Sequence, residues 1–225
     1  MRLFVVFYST LLLSASPELE KARDAQDRTA IQKLLPALTT AAQRESSNAA
    51  AQYNLALAQS YLAEVAFELR DKATAASAAE SGIRAAQKAV QLDEKKAEYH
   101  RVLGALCGQV IPANVIAGIK YGKCALESVN RAIELDPRLS LAYLSRGVGN
   151  YYLPPQFGGG IDKAITDIQK SIQLNPKSAE AQMWLGIALR KANRNAEART
   201  ALTRAIELNP NRIWIKQQLE KTPAQ

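Results

Sequence analysis

The sequence is poor in the residues on which most enzymes and disulfide-built domains depend. Its 225 residues include one histidine, two cysteines and two tryptophans, and aromatic residues make up only 6%. Two cysteines cannot form a disulfide framework, and a lone histidine leaves few choices for a general base. No HExxH, GxSxG or paired CxxC motif occurs, and no carboxylate cluster has metal-ligand spacing. We therefore predict no catalytic residue, no metal site and no cofactor.

Glycine and proline are also scarce, with 11 and 9 residues, whereas hydrophobic residues make up 48% and alanine is abundant. This composition favours helices that pack closely through small side chains. The formal net charge is +8, but the basic residues are interspersed with acidic ones rather than gathered in runs. Such spacing is typical of solvated helix faces. The positive net charge is compatible with binding to an anionic molecule or to a membrane surface.

The first residues, MRLFVVFYSTLLLSASP, predict a secretory signal peptide over residues 1–16. Arg2 supplies a short positive start, an apolar run covers residues 3–13, and small residues follow. Eleven helical residues span about 16 Å, which is too short for a bilayer core of about 30 Å. The mature chain is then periplasmic or secreted, with no transmembrane helix and no nucleic-acid partner. The alternative is an ordinary apolar first helix.

Self-similarity is the strongest pattern along the chain. Three segments align, each ending in proline: SVNRAIELDP (128–137), DIQKSIQLNP (167–176) and ALTRAIELNP (201–210). Their prolines are 39 and 34 residues apart, and a fainter copy, AAQKAVQLDE (85–94), has Glu94 in place of proline. A second amphipathic pattern with a small residue at its centre precedes each copy. The unit is therefore two helices, and the closing proline stops the second helix.

A period of 34 residues with this content resembles the tetratricopeptide repeat (TPR) family. The residues of the last unit that match the family pattern are Leu185, Gly186, Ala198, Leu202, Ala205 and Pro210. The small residues among them let two helices approach closely, which a larger side chain would prevent. The resemblance implies an all-α fold, a right-handed superhelical array of about four antiparallel helix pairs with flanking helices.

The repeat divides the chain into a signal peptide, a leading helical segment, four units and a capping helix with a tail. The bounds are 1–16, 17–48, 49–94, 95–137, 138–176, 177–210 and 211–225. The leading segment is predicted to be a helix or helix pair that Pro36 kinks or divides. Trp214 is expected in the core of the capping helix, which covers the exposed face of the last unit.

In TPR proteins the first helices of successive units line a concave groove that binds peptides or protein segments. The resemblance therefore implies a set of candidate groove residues, taken unit by unit. They are Tyr53, Asn54, Leu57, Tyr61, Arg101, Gln109, Leu144, Val148, Tyr151, Tyr152, Met183, Trp184, Ile187, Arg190 and Lys191. Tyrosine, tryptophan, methionine and arginine are enriched at binding surfaces, although some of these side chains are expected to pack internally.

Two units contain extra residues, around 105–123 and 153–160. We expect both insertions in the turn between the paired helices, along one edge of the array. The stretch LPPQFGGG (153–160) lacks the P-loop pattern, so we interpret it as a connector whose glycines supply unusual backbone angles. An anion bound by its glycine amides is the alternative. Phe157 is expected to fold back as a plug against the array.

Cys107 and Cys124 fall on the two helices of the second unit. In an oxidising compartment they could form a disulfide, and two buried thiols are the alternative. The nine extra residues between their helices leave both readings open. His100 stands where the repeat has a packing aromatic residue, so we interpret it as structural.

The resulting hypothesis is a non-catalytic exported scaffold that binds a protein or peptide through its groove and edge loops. The repeat pattern is compatible with a monomer and with an oligomer. The alternative is a periplasmic accessory protein for solute binding or transport. LPPQFGGG resembles insertions of periplasmic TPR proteins associated with tripartite (TRAP-type) transporters. An enzymatic function has no residue constellation to support it.

Overall fold

The computed structural model describes residues 16–111 and 115–224 of the chain. The predicted signal peptide thus lies, except for Ser16, outside the described residues. Within the described ranges the structure is all-helical, as the repeat predicts, and contains no strand. Its helices are α1 (Pro17–Asp24), α2 (Arg28–Arg44), α3 (Ala49–Glu68), α4 (Lys72–Leu92), α5 (Ala97–Val110), α6 (Val115–Leu135), α7 (Ser140–Tyr152), α8 (Ile161–Leu174), α9 (Ala179–Lys191), α10 (Asn195–Leu208) and α11 (Ile213–Glu220). No described helix combines the length and the apolar character needed to cross a bilayer.

The helices form five antiparallel pairs, α1–α2 to α9–α10, followed by α11. The leading segment is a helix pair, and α2 continues through Pro36 rather than ending there. The turn between α1 and α2 has the same conformation as the turns between the paired helices of the first and fourth units. In each of these turns one residue, Gln26, Arg70 or Asn193, adopts a left-handed backbone conformation with φ between 52° and 64°. The leading pair is therefore built like a repeat unit.

Close approach of the paired helices depends on glycines at the predicted small positions. A Cβ added to Gly186 would lie 2.5 Å from Leu202 Cγ and 2.9 Å from the Ala198 carbonyl oxygen. Gly104 and Gly147 meet the second helix of their own units in the same way, one apolar side chain and one carbonyl each. The same helix–helix contact therefore recurs in three successive units, which explains why a small residue recurs at this position of the sequence.

The turn that ends each unit depends on a side chain rather than on proline. Asp93, Asp136, Asn175 and Asn209 each accept a hydrogen bond from the backbone N–H two residues later, at 2.9–3.2 Å. These Asx turns supply a local partner where the helix hydrogen bonds stop. The first unit can therefore replace the proline with Glu94 and still make the same turn.

One insertion was predicted in the wrong place. The extra residues around 105–123 do not form a long turn, because α5 ends at Val110 and α6 already begins at Val115. They lengthen α6 to 21 residues, the length of α4, whereas α8 has 14. The second insertion does form a connector, residues 153–160, with Gly158 and Gly160 at φ 88° and 115°.

We predict that Gly186→Ala lowers the free energy of unfolding by about 1–3 kcal/mol, because the new methyl group collides with Leu202 and a backbone carbonyl. Gly149→Ala is the matched control, since a Cβ there meets nothing within 4 Å. It should raise the stability by up to about 1 kcal/mol through helix propensity. Equal denaturant midpoints for the two variants would contradict the repeat alignment.

Candidate functional site

The first helices of the five pairs, α1, α3, α5, α7 and α9, pack successively against one another, and α11 packs against α9. Together they form the inner face of the array. The candidate groove residues lie on four of these helices. Five are buried: Tyr53, Leu57, Leu144, Met183 and Ile187. Eight are half-buried: Asn54, Tyr61, Arg101, Gln109, Val148, Tyr151, Trp184 and Arg190. Tyr152 and Lys191 are exposed. The groove positions are therefore mostly interior.

In the first two units three of the polar groove residues, Tyr53, Arg101 and Gln109, have hydrogen-bond partners within the chain. The Tyr53 hydroxyl donates to the Glu98 carboxylate at 3.0 Å, and Arg101 donates two hydrogen bonds to the same carboxylate at 2.6 and 2.7 Å. Gln109 donates to the Ser60 carbonyl oxygen at 3.2 Å and accepts from the Ser60 hydroxyl at 3.1 Å. These side chains join α3 to α5, so their first role is structural.

Arg212, in the turn before α11, lies across the inner face and is completely buried. Its guanidinium is 2.7 Å from a Glu64 oxygen and 3.0 Å from a Glu180 oxygen, and it also forms an ion pair with Glu68. It donates to the Arg23 carbonyl oxygen at 3.2 Å as well. One side chain thus connects α1, α3 and α9, bypassing α5 and α7.

Further contacts join the same ends of the chain. Gln26 and Gln217 exchange two side-chain hydrogen bonds at 3.0 and 3.3 Å. Asn209 donates to the Asp24 carboxylate at 2.7 Å. The partners of these bonds are 185 and 191 residues apart in sequence. The array therefore curves until its two ends meet, and its own side chains bridge the inner face.

The buried cluster around Arg212 contains two cations, Arg23 and Arg212, and four carboxylates: Asp24, Glu64, Glu68 and Glu180. Burial raises the pKa of Glu68 to about 7, because the hydrogen bond from Arg212 only partly offsets desolvation and the nearby Glu64. Burial also raises the pKa of Glu64. For Arg212, burial lowers the pKa, but the surrounding carboxylates outweigh it and raise the value. The excess negative charge thus favours proton uptake.

Aromatic residues of the first, third and fourth units and of α11 form one aromatic cluster, which we define as Phe67, Tyr151, Tyr152, Trp184 and Trp214. The ring centroids of neighbouring members lie 4.9–6.4 Å apart, in edge-to-face arrangements. Tyr152 stays 45% exposed although it contacts three of the other rings. Phe67 comes from α3, so this cluster also joins the first unit to the third.

The last two groove candidates differ in what they contact. Arg190 donates to the Gln218 carbonyl and side chain and to the Thr222 hydroxyl at 2.8–3.2 Å, which fixes α11. Lys191 donates to the Tyr151 carbonyl oxygen at 2.8 Å, and its Nζ lies 4.1 Å from the Tyr151 ring centre. Lys191 remains exposed, one ring away from Tyr152.

The prediction for Phe157 is wrong. The side chain does not fold back as a plug and is 70% exposed. The glycines that follow it have backbone reasons for being there: a Cβ on Gly159 would collide with the Leu153 carbonyl, and Lys163 donates to the Gly158 carbonyl at 2.8 Å. The connector is therefore held by its backbone and not by its aromatic residue.

The two cysteines and the histidine lie in the second unit. Cys107 and Cys124 are joined by a disulfide with their Cα atoms 6.0 Å apart, which ties α5 to the lengthened α6. A ring nitrogen of His100 lies 2.8 Å from the Glu94 carbonyl oxygen, in the turn before α5. Both features stabilise the hairpin and its preceding turn.

A cleft of about 870 Å³ lies between α2, α3 and α4, away from every groove candidate. Its lining is uncharged: Gln32, Leu35, Pro36, Thr39, Thr40, Gln59, Leu62, Ala73, Thr74, Ser77, Ala78 and Ser81. The ion pair between Arg28 and Asp71, at 2.6 Å, ties α2 to the start of α4.

Arg212 and its carboxylates are not among the residues that the sequence predicts for the site. A signal was present in AEVAFELR, because Glu64 and Glu68 are four residues apart and therefore share one face of an otherwise apolar helix. The partner could not be identified, since Arg212 is 144 and 148 residues away from them.

Two family models match the chain. The model described as regulator of microtubule dynamics protein 1-3 matches residues 13–153, and a tetratricopeptide repeat model matches residues 157–213. Neither match supports the resemblance to TRAP-associated proteins.

Among curated proteins, anaphase-promoting complex subunit 3 of Schizosaccharomyces pombe is 34% identical over 87 residues, covering 39% of this chain and 12% of the relative. Small glutamine-rich tetratricopeptide repeat-containing protein 2 of Mycosarcoma maydis is 30% identical over 105 residues, covering 47% of this chain and 28% of the relative. The chain therefore spans less than a third of the length of either relative.

Two solved structures share the fold. A thermophilic TPR protein from Thermus thermophilus has a TM-score of 0.64 at 16% identity, covering 89% of this chain and 97% of that one. The HusA haemophore from Porphyromonas gingivalis has a TM-score of 0.60 at 21% identity, covering 80% and 94%. The likeness establishes the TPR architecture.

We predict that Glu68 makes the stability depend on pH. Its folded pKa of about 7 lies above its ordinary value of 4.5, so its contribution is fully present below pH 4.5 and is lost as the pH rises through 7. The unfolding free energy of the wild type should therefore fall relative to that of Glu68→Gln as the pH rises from 5 to 8, by up to about 1.4 kcal/mol per pH unit. Urea unfolding at several pH values measures this difference. A constant difference would contradict the assignment.

Proposed function

The chain belongs to the family of regulator of microtubule dynamics proteins 1-3, and from this premise we propose that it is a non-catalytic adaptor whose protein partner is a component of microtubules. The TPR architecture supports a protein-binding role, and the family description supports this choice of partner. The observation that carries the proposal is the exposed end of the aromatic cluster, where Tyr152 and Lys191 both contact Tyr151.

This end of the cluster has the properties of an anchor site. Tyr152 is backed by Phe67, Tyr151 and Trp184, so its ring is held in place while 45% of the side chain faces solvent. A preordered aromatic residue loses little conformational freedom when a partner covers it. Binding hot spots are enriched in such residues, which supports a contact with an apolar side chain of the partner.

Lys191 adds a preference for charge. Its ammonium group is held by the Tyr151 carbonyl oxygen and ring but remains exposed, so it can also meet a carboxylate. The chain as a whole carries a formal charge of +8, which attracts an acidic protein surface over long range. We therefore propose a partner segment that presents an apolar residue next to an acidic one.

The test is co-sedimentation of the full chain with stabilised microtubules. Wild-type protein should pellet with the polymer, and Lys191→Glu should weaken binding at least about fivefold, the effect of losing about 1 kcal/mol at an interface. Lys170→Glu is the matched control, since Lys170 is exposed on α8 and the change in net charge is the same. Equal weakening by both variants would indicate nonspecific attraction and contradict the site. No pelleting of the wild type would contradict the partner.

Export is a separate proposal, supported by the apolar run of residues 3–13. An exported chain would not share a compartment with microtubules, so the two proposals exclude each other. We predict that intact mass of the protein from its native cells decides between them. Loss of residues 1–16 would support export and argue against the microtubule partner, whereas retention of Met1 or Arg2 would remove the export proposal.

A further inference from the structure

The outer face of α6 exposes a large apolar residue at a position that other units bury. Leu126 follows the small residue Ala125, as Ile83 follows Gly82 and Ile165 follows Ala164 in their units. Ile83 and Ile165 are 6% and 7% exposed, but Leu126 is 51% exposed. The repeat therefore places a residue suited to burial at a position that the chain leaves uncovered.

The packing of the next first helix explains the exposure of Leu126, because α7 packs less extensively on α6 than α5 packs on α4. The start of α6 adds a second apolar residue to the same face. α6 begins ten residues before Ala125, whereas α8 begins three residues before Ala164, so α6 has about two more turns at this end than α8. Ile119 lies in this extension and is 82% exposed. It is seven residues before Leu126 and so shares its face of the helix.

The charged residues near Ile119 and Leu126 give the two halves of α6 net charges of opposite sign. Lys120 and Lys123 precede Leu126, and Glu127, Arg131 and Glu134 follow it, all of them exposed. Arg131 lies 3.1 Å from Glu134 in the same helix, so the three residues after Leu126 carry a net charge of −1. Lys123 and Glu127 are 3.8 Å apart in the same helix, at 82% and 66% side-chain exposure, which makes their ion pair weak. The face is thus basic before Leu126, apolar at Ile119 and Leu126, and net negative after Leu126.

We propose that this face binds a second copy of the chain, with the two α6 helices antiparallel and Leu126 near the twofold axis. In that arrangement a residue a given number of positions before Leu126 meets the residue as far after it. Ile119 then faces the partner's Ile133. Lys123 and the partner's Glu127 are two positions out of this register, a shift of about 3 Å that their side chains can span. Lys120 lies near the ion pair of the partner's Arg131 with the partner's Glu134. Each contact occurs twice because such an interface is isologous.

This self-complementarity selects a second copy as the occupant. A parallel arrangement would place like charges together, which is unfavourable. The inference goes beyond the proposed function and does not depend on it. A dimer would nevertheless present two Tyr152–Lys191 sites, and two linked sites bind a repeating polymer more tightly than one.

Cross-linking tests the geometry directly. In the full chain with Leu126→Cys, two copies of the new thiol should meet at the axis and form a disulfide-linked dimer in air, visible on a non-reducing gel. The described native cysteines are already paired. Leu69→Cys is the matched control, since Leu69 directly follows α3, is 47% exposed and lies outside the proposed face. Cross-linking of both variants, or of neither, would overturn the proposal.

Sedimentation equilibrium tests the charges. The wild type should be dimeric, and Lys123→Glu should raise the dissociation constant at least about fivefold, since it places acidic groups opposite each other. Adding Glu127→Lys should restore the dimer. Circular dichroism melting of the three proteins separates this result from a change in helix stability. A monomeric wild type at its highest soluble concentration, or a double variant no better than the single one, would overturn the proposal.

Discussion

A single buried guanidinium group, that of Arg212, connects the two ends of this protein. It lies among carboxylates from α1, α3 and α9, and none of its side chain is exposed. A buried charge without partners is strongly unfavourable, whereas one surrounded by hydrogen-bonding carboxylates is tolerated. The curvature of the array is therefore tied to this cluster, because any opening would separate Arg212 from Glu64 and Glu68 and expose both ends.

Closure changes what a helical-repeat surface can do. An open array offers its inner face to a partner, but here that face holds the Arg212 cluster, the Tyr53–Glu98–Arg101 network and the aromatic cluster. The binding sites that we propose lie where this packing ends. Tyr152 and Lys191 mark one such place on the rim, and the uncovered face of α6 marks another on the outside. Both arise where a regular repeat contact is incomplete.

The local parts of the structure could be predicted from the sequence to a large extent. Gly186 was predicted to be a close-contact position, and it meets the second helix of its unit as expected, as do the glycines at the centres of the preceding two units, Gly104 and Gly147. The errors were also local. The insertion near residues 105–123 continues as helix because it adds whole turns to α6, and Phe157 stays in solvent because Gly158 to Gly160 direct the connector through its backbone.

The sequence by itself determined the helix pairs, their small-residue contacts and their turns, because all of these depend on residues within one unit. Only the tertiary structure decided which groove residues are accessible and which charges meet. The small rotation from each pair to the next accumulates along the array, and it brings together residues as far as 191 positions apart. The sequence pattern of a single repeat does not specify this accumulated rotation. For this reason only the tertiary structure shows that Arg212 joins the two ends of the array.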